Sequence, residues 1–147
     1  MTALTAPYIL EYTYRRSTGP VIGHFLSELR EQRIVGTVTK DGRVIVPALE
    51  YDPETGDALS DFAEVGQTGK VTSWAWVQEP RETHPLSSPF AWVMVQLDGA
   101  STALIHALEI DTPESVHTGM RVRVDWNPER IGFMTDIRCF LPETPHE

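Results

Sequence analysis

Between residues 20 and 32 apolar side chains recur at helical spacing, with Val21, Ile22, Phe25, Leu26 and Leu29 on one face and Glu28, Arg30 and Glu31 on the other. That period predicts one amphipathic helix, Pro20 to Gln32, with Pro20 at the first position, where its missing N–H has no helical partner to lose. From Ile34 the period shortens to that of strands. Ile34 to Thr39 and Val44 to Pro47 read as a hairpin whose turn, Lys40 to Arg43, contains Asp41-Gly42 between apolar runs. Glu50 to Gly66, rich in Asp, Glu, Pro and Gly, reads as a tight knuckle followed by a linker. Beyond it the pattern predicts strands over Gly69 to Gln78, Phe90 to Leu97, Thr102 to Leu108, Met120 to Trp126 and Ile131 to Phe140. Five strands with no strong helix between them predict a small barrel. Asp98-Gly99-Ala100 makes a tight hairpin, Gln78 to Pro89 a longer loop, and Val122, Val124 and Trp126 alternate inward against Arg121, Arg123 and Asp125. Ahead of the helix, Leu10, Tyr12 and Tyr14 alternate with Glu11, Thr13 and Arg15 as a short extended arm. The expectation is a mainly β chain, with arm, helix and ribbon hairpin over residues 1–66 and a five-stranded barrel over residues 67–147.

Charge narrows the set of partners. Twenty-one acidic residues against twelve basic ones give a net charge of −9, so the average surface repels phosphate backbones and argues against nucleic acid. The single cysteine, Cys139, excludes an internal disulfide and suits a reducing cytoplasm. Met1 to Pro7 lacks the basic-then-apolar pattern of a signal segment, and no apolar run approaches the roughly 20 residues of a membrane span. A cytoplasmic location, away from membranes, follows as an expectation.

Candidate catalysts are sparse. His24, His84, His106, His117 and His146 show no His-x-x-x-His pair, so a zinc hydrolase is unsupported. His106 with Ser101, Thr102 and Asp98 supplies the residue types of a triad, but no Gly-x-Ser-x-Gly elbow exposes a nucleophile, and a satisfied barrel histidine is the preferred reading. Cys139 lies in an alternating apolar strand with Ile137 and Phe133, where a buried, inert thiol is the default. No catalytic residue, cofactor or metal is assigned, and the chain is expected not to be an enzyme.

The two turns near Asp41 and Asp52 have the punctuation of a metal-binding ribbon. Where such a ribbon places its four thiolates, this chain has Val38, Asp41, Asp52 and Thr55. Asp41, Asp52 and Glu54 offer oxygens to a hard cation, but exposed turn acids are the commoner reading. The helix Phe25-Leu26-Ser27-Glu28-Leu29-Arg30, Asp41-Gly42-Arg43, Pro47, Asp52-Pro53-x-x-Gly56, Gly69-Lys70-Val71, Pro89-Phe90-Ala91-Trp92-Val93, Leu97-Asp98-Gly99 and Gly119-Met120-Arg121-Val122 follow one another in a recognisable order. In that order the chain resembles the acyl-CoA-associated zinc-ribbon/OB-fold family, from which it departs at all four cysteine positions. The resemblance implies a metal-free ribbon and an OB-fold barrel. It also implies an accessory subunit of a thiolase-like or hydratase-like acyl-CoA enzyme, such as a sterol-carrier-type thiolase or an aldolase of steroid or lipid side-chain degradation. In that role the chain would stabilise its partner and contact the CoA thioester at a shared site.

Interfaces concentrate aromatic residues and arginine. Trp74 and Trp76 on the first barrel strand and the loop residues His84, Pro85 and Leu86 are therefore the expected partner-facing set. Arg15 and Arg16 form the one local basic spot, suited either to a CoA phosphate or to the acidic ribbon. Two rivals remain at this stage: a nucleotide or single-stranded nucleic-acid binding OB module that stacks bases on Trp74 and Trp76, and a stand-alone acyl-CoA enzyme using His106.

Overall fold

A computed structural model describes residues 3–143; His146 lies outside them. Helix α1 spans Gly19–Arg30, so Pro20 takes its second position, after Gly19, instead of its first. Val21, Phe25 and Leu29, four residues apart, are its buried stripe. Leu26 and Ile22 lie at the edge of that stripe, and Ile22 is exposed. Strands β1 (Ile34–Val38), β2 (Val44–Ile45) and β3 (Phe62–Val65) form an antiparallel sheet in the order β2-β1-β3. Strand β3 lies where the sequence predicts a linker: Phe62 to Val65 pair with Thr37 to Ile34, and this long-range partner has no local signature. Residues 3–18 form no regular element and are exposed, so the alternation of Leu10, Tyr12 and Tyr14 does not become a strand.

The barrel comprises β4 (Thr68–Val77), β5 (Phe90–Leu97), β6 (Leu104–Leu108), β7 (Arg121–Trp126) and β8 (Ile137–Pro142), closed in the order β4-β5-β6-β8-β7. Its pairs are antiparallel except β6 with β8, which meet in parallel at Leu108 and Phe140. Gly69 allows β4 to press on β5, since a Cβ there would lie 2.4 Å from the Gln96 carbonyl oxygen. The last strand begins at Ile137, six residues later than predicted. The Asp136 carboxylate accepts the backbone N–H groups of Ile131 (2.9 Å), Gly132 (2.8 Å) and Phe133, and thereby bends residues 131–136 into a loop ending in a 3-10 turn.

One apolar core runs through both layers. Phe25, Leu29, Ile34 and Val46 join Val71, Val93, Val95, Leu104 and Phe140 in a single buried cluster. A second, smaller cluster of Phe90, Ala107 and Cys139 is covered by Leu86 of the long loop and by Trp92. The seam between the layers is polar and reciprocal. Ser101 Oγ accepts the Val44 N–H (3.0 Å), and the Ser101 N–H donates to the Val44 carbonyl (2.8 Å). Thr102 Oγ1 accepts the Val46 N–H (2.7 Å) and donates to its carbonyl (2.8 Å). At the helix end, Gln67 donates to the Gln32 carbonyl and accepts Trp126 Nε1–H, while Arg130 Nε donates to the Arg30 carbonyl.

The two knuckles are joined by one guanidinium. Arg43 Nε donates to Asp41 (2.9 Å), Nη2 to Asp52 (2.9 Å) and Nη1 to Glu54 (3.0 Å). The three acids considered as cation ligands thus converge on an arginine. Asp52, only 4% exposed, also accepts the Glu54 N–H, and a backbone bridge between Tyr51 and Ala58 closes the second knuckle. Among the described residues, no group of three or more His, Cys, Asp or Glu is arranged to hold a metal, and no helix is long and apolar enough to cross a membrane.

Several carboxyls are held in the ionised state. The Glu54 N–H and then Arg43 lower the pKa of Asp52, Thr39 and Arg43 lower that of Asp41, and Lys40 and Thr55 lower that of Asp57. Asp98, bonded by Arg121 and Thr68, is pulled down to about 2. Burial pushes the Cys139 thiol up to about 12, against a smaller opposing effect of Arg138.

Replacing Arg43 with Met is expected to raise amide exchange over residues 38–58 by roughly tenfold or more, the scale of lost charge-assisted hydrogen bonds, with little change in the barrel. Unchanged exchange would mean that the turns hold themselves. Because these aspartates have folded pKa values below their unfolded ones, their contribution is fully present above the ordinary aspartate range and is lost as pH falls through the folded values. The melting temperature should be flat above about pH 5 and fall steadily from about pH 4 towards pH 2, less steeply in Asp98→Asn. In alkylation assays at about pH 8, Cys139 should react at least about a hundredfold more slowly in the folded chain than in denaturant.

Candidate functional site

A groove of about 990 Å³ opens where α1, the segment after β2 and the outer barrel wall meet. Each wall comes from a different part of the chain. The helix supplies Ile22, Phe25 and Leu26, and the chain leaving β2 supplies Pro47, Ala48 and Leu49. Strand β6 contributes Leu104, Ile105 and His106, with Trp92 beside them on β5. The loop bent by Asp136 contributes Phe133, Met134 and Thr135, and β8 begins with Ile137 and Arg138. Thr83, His84 and Pro85 of the long loop close one rim.

The floor is buried and the rim is apolar. Phe25, Ala48, Leu104 and Ile137 are buried, whereas Ile105 (59% exposed) and Phe133 (57%) present their side chains to solvent. Exposed apolar groups gathered round a concave surface mark a binding site more strongly than the same residues scattered singly.

Two of the titratable groups in the groove, His106 and Arg138, are engaged within the fold. His106 Nδ1 accepts the Ala107 N–H at 2.9 Å, which leaves the ring proton on Nε2. Burial lowers the pKa of His106, outweighing the backbone hydrogen bonds at Met134, Ala107 and Ile137, so the ring is neutral at physiological pH. Arg138 is bonded by Asp125 and Glu109, whose hydrogen bonds raise its pKa further. The groove therefore offers shape and apolar surface without an unpaired charge.

Of the expected partner-facing residues, His84 and Pro85 line this groove. The His84 ring stands edge-on to Phe90 (5.6 Å) and Trp92 (6.0 Å). Leu86 packs instead over Phe90, Ala107 and Cys139. Trp74 and Trp76 are not in the groove. They pair with Val93 and Ala91 on the stretch of β4 that continues past its ladder with β7, and Trp76 Nε1 donates to Gln78. Arg15 and Arg16 are exposed on the arm and have no ionic partner among the described residues. The triad components are dispersed into structural roles: Asp98 pairs with Arg121, Ser101 and Thr102 hold β2, and His106 is buried.

Sequence reasoning missed Ile105 and Phe133. Ile105 carried no usable signal, since β6 does not alternate: it is exposed beside the buried Leu104, His106, Ala107 and Leu108. Phe133, expected in the last apolar strand with Ile137 and Cys139, is instead exposed, because Asp136 bends its segment into a loop before the strand begins.

Residues 63–127 match the family described as ChsH2, C-terminal OB-fold domain. No curated protein sequence matches this chain. A protein of unknown function from the DUF35 family of Sulfolobus solfataricus is similar in structure, with 20% identity and a TM-score of 0.55 over 69% of this chain and 74% of its own. A chain of the Ltp2–ChsH2(DUF35) aldolase is also similar, with 21% identity and a TM-score of 0.62 over 87% of this chain and 98% of its own. At these identities the structural likenesses establish the shared fold, and the match over residues 63–127 agrees with it: this chain carries an OB-fold barrel similar to that of the ChsH2 C-terminal domain.

Proposed function

We propose that the chain is a non-catalytic accessory subunit that associates with a thiolase-like acyl-CoA enzyme, stabilises it and helps to enclose the CoA thioester during steroid or lipid side-chain degradation. The observation that carries this reading is the likeness to a chain of the Ltp2–ChsH2(DUF35) aldolase, which takes in nearly all of that chain and spans both the ribbon layer and the barrel here. The side-chain chemistry is consistent with an accessory role. The buried His106 is bonded to its own strand, the hydroxyls of Ser101 and Thr102 are occupied by the seam, and the Cys139 thiol is buried. The reading is supported by these groups being engaged in the fold instead of paired as nucleophile and base.

The partner-facing surface includes the exposed apolar rim of the groove, together with the arm that carries Tyr8, Leu10, Tyr12 and Tyr14 into solvent. Arg15 and Arg16 stand at the base of that arm as candidates for a CoA phosphate. Co-expression with thiolase-fold acyl-CoA enzymes of the same organism should give a complex that survives affinity capture and gel filtration. A chain that elutes alone with every candidate enzyme would overturn the proposal.

A further inference from the structure

We infer that the N-terminal arm is an exchanged strand: residues 8–14 of one chain add to the open edge of β4 on a second copy, and the second copy returns the contact. The inference does not rest on the accessory-subunit reading, which would give the arm to an enzyme partner instead.

Strand β4 outruns its neighbour. Its ladder with β7 ends at Lys70. Val71 is the last residue bonded on that side, where its N–H donates to the Met120 carbonyl (3.0 Å) and its carbonyl accepts the Gly119 N–H (2.7 Å). The ladder with β5 continues to Val77 across a bulge that leaves Thr72 as the extra residue between Val71 and Ser73. Backbone groups alternate sides along a strand, and the bulge shifts that count by one, so Trp74 and Trp76 direct their N–H and carbonyl groups away from β5, as Val71 does. Among the described residues no strand or loop bonds to them there. Ser73, Trp74 and Ala75 are exposed, which leaves the edge open to solvent as a template for a further strand.

The arm has the matching character. Tyr8, Ile9, Leu10, Tyr12 and Tyr14 are all at least 70% exposed, so the arm's own chain gives them no apolar cover. The rings of Tyr12 and Tyr14 lie 6.4 Å apart, as side chains on one side of an extended segment do. Laid along β4, the side formed by Leu10, Tyr12 and Tyr14 would meet Trp74 and Trp76 in cross-strand pairs, while Glu11 and Thr13 would fall beside Ser73 and Ala75. Charge favours a second copy, since the arm carries Arg15 and Arg16 against Glu11 alone and the whole chain carries −9. Size favours it as well. Reciprocal exchange brings together three exposed tyrosines from each arm, on the order of 900 Å² of side chain, which with the covered edges reaches the roughly 1,200 Å² of a specific interface.

Sedimentation of the full-length chain over a graded concentration series should show a monomer–dimer equilibrium that weakens as salt is added. Glu11→Pro and Tyr12→Pro remove the N–H from adjacent arm positions, one of which must face the edge, and at least one of them should raise the dimer dissociation constant by roughly tenfold or more. Both positions are exposed, so the melting temperature of the dilute chain should not change. A synthetic peptide of the arm, added in excess, should return the dimer to monomer. In the dimer the Trp74 and Trp76 amides should exchange at least about tenfold more slowly than in the monomer. A chain that stays monomeric throughout, a dimer indifferent to both prolines and to the peptide, or protection elsewhere with Trp74 and Trp76 unchanged would overturn the exchanged strand. Prolines that leave self-association intact but abolish capture of a thiolase-like enzyme would also overturn it, and would give the arm to that enzyme.

Discussion

The reciprocal seam between β2 and the Ser101-Thr102 turn fixes the geometry on which everything else rests. A ribbon of three short strands and one helix is too small to bury a core alone, and a five-stranded barrel has an outer wall to cover. Four hydrogen bonds through two hydroxyl residues set the separation of the two layers and satisfy an exposed strand edge at the same time. Gln67 and Arg130 repeat the arrangement at the other end of the helix, where they bond carbonyls of the helix end and the turn after it. With both ends tied, the apolar cluster closes in the middle and the groove remains along one side.

That groove depends on a competition between side chain and ladder. Ile131 to Phe140 has the composition of one long strand, and a strand there would flatten Phe133 and Met134 onto the barrel. Asp136 captures three consecutive amides instead, so the backbone turns away before the last strand starts. A single buried carboxylate thus raises one wall of the site. The long loop raises another by pressing Leu86 into a small cluster and setting the His84 ring against Phe90 and Trp92.

How much of this was legible in the sequence follows from the range of each interaction. The helix stripe Val21, Phe25 and Leu29 and the alternation of Val122 and Val124 are local periodicities, and both were readable. The barrel followed from the count and spacing of its strands. Strand β3 was missed because Phe62-Ala63-Glu64-Val65 is short, lies in an acidic stretch and owes its conformation to β1. The groove was illegible as a unit, since its walls come from seven separate segments and most of their residues look like ordinary core. Trp74 and Trp76 drew attention by residue type, yet their surroundings are set by β4 outrunning its β7 partner. In the ribbon the acids Asp41, Asp52 and Glu54 were visible, but the cation they share was two positions from the first of them and went unread.

The guanidinium of Arg43 changes the conditions under which a ribbon of this shape endures. A thiolate cage must be loaded from a metal supply, and it opens when its sulfurs are oxidised or its ion is removed by a chelator. A carboxylate-guanidinium knot is complete as soon as the chain is synthesised, indifferent to redox state and to trace-metal starvation. Its vulnerability is of another kind: protons and high salt loosen it, where oxidants would have loosened the cage. The folding of the ribbon layer thus depends on pH and ionic strength through Arg43 and its three carboxylates, Asp41, Asp52 and Glu54.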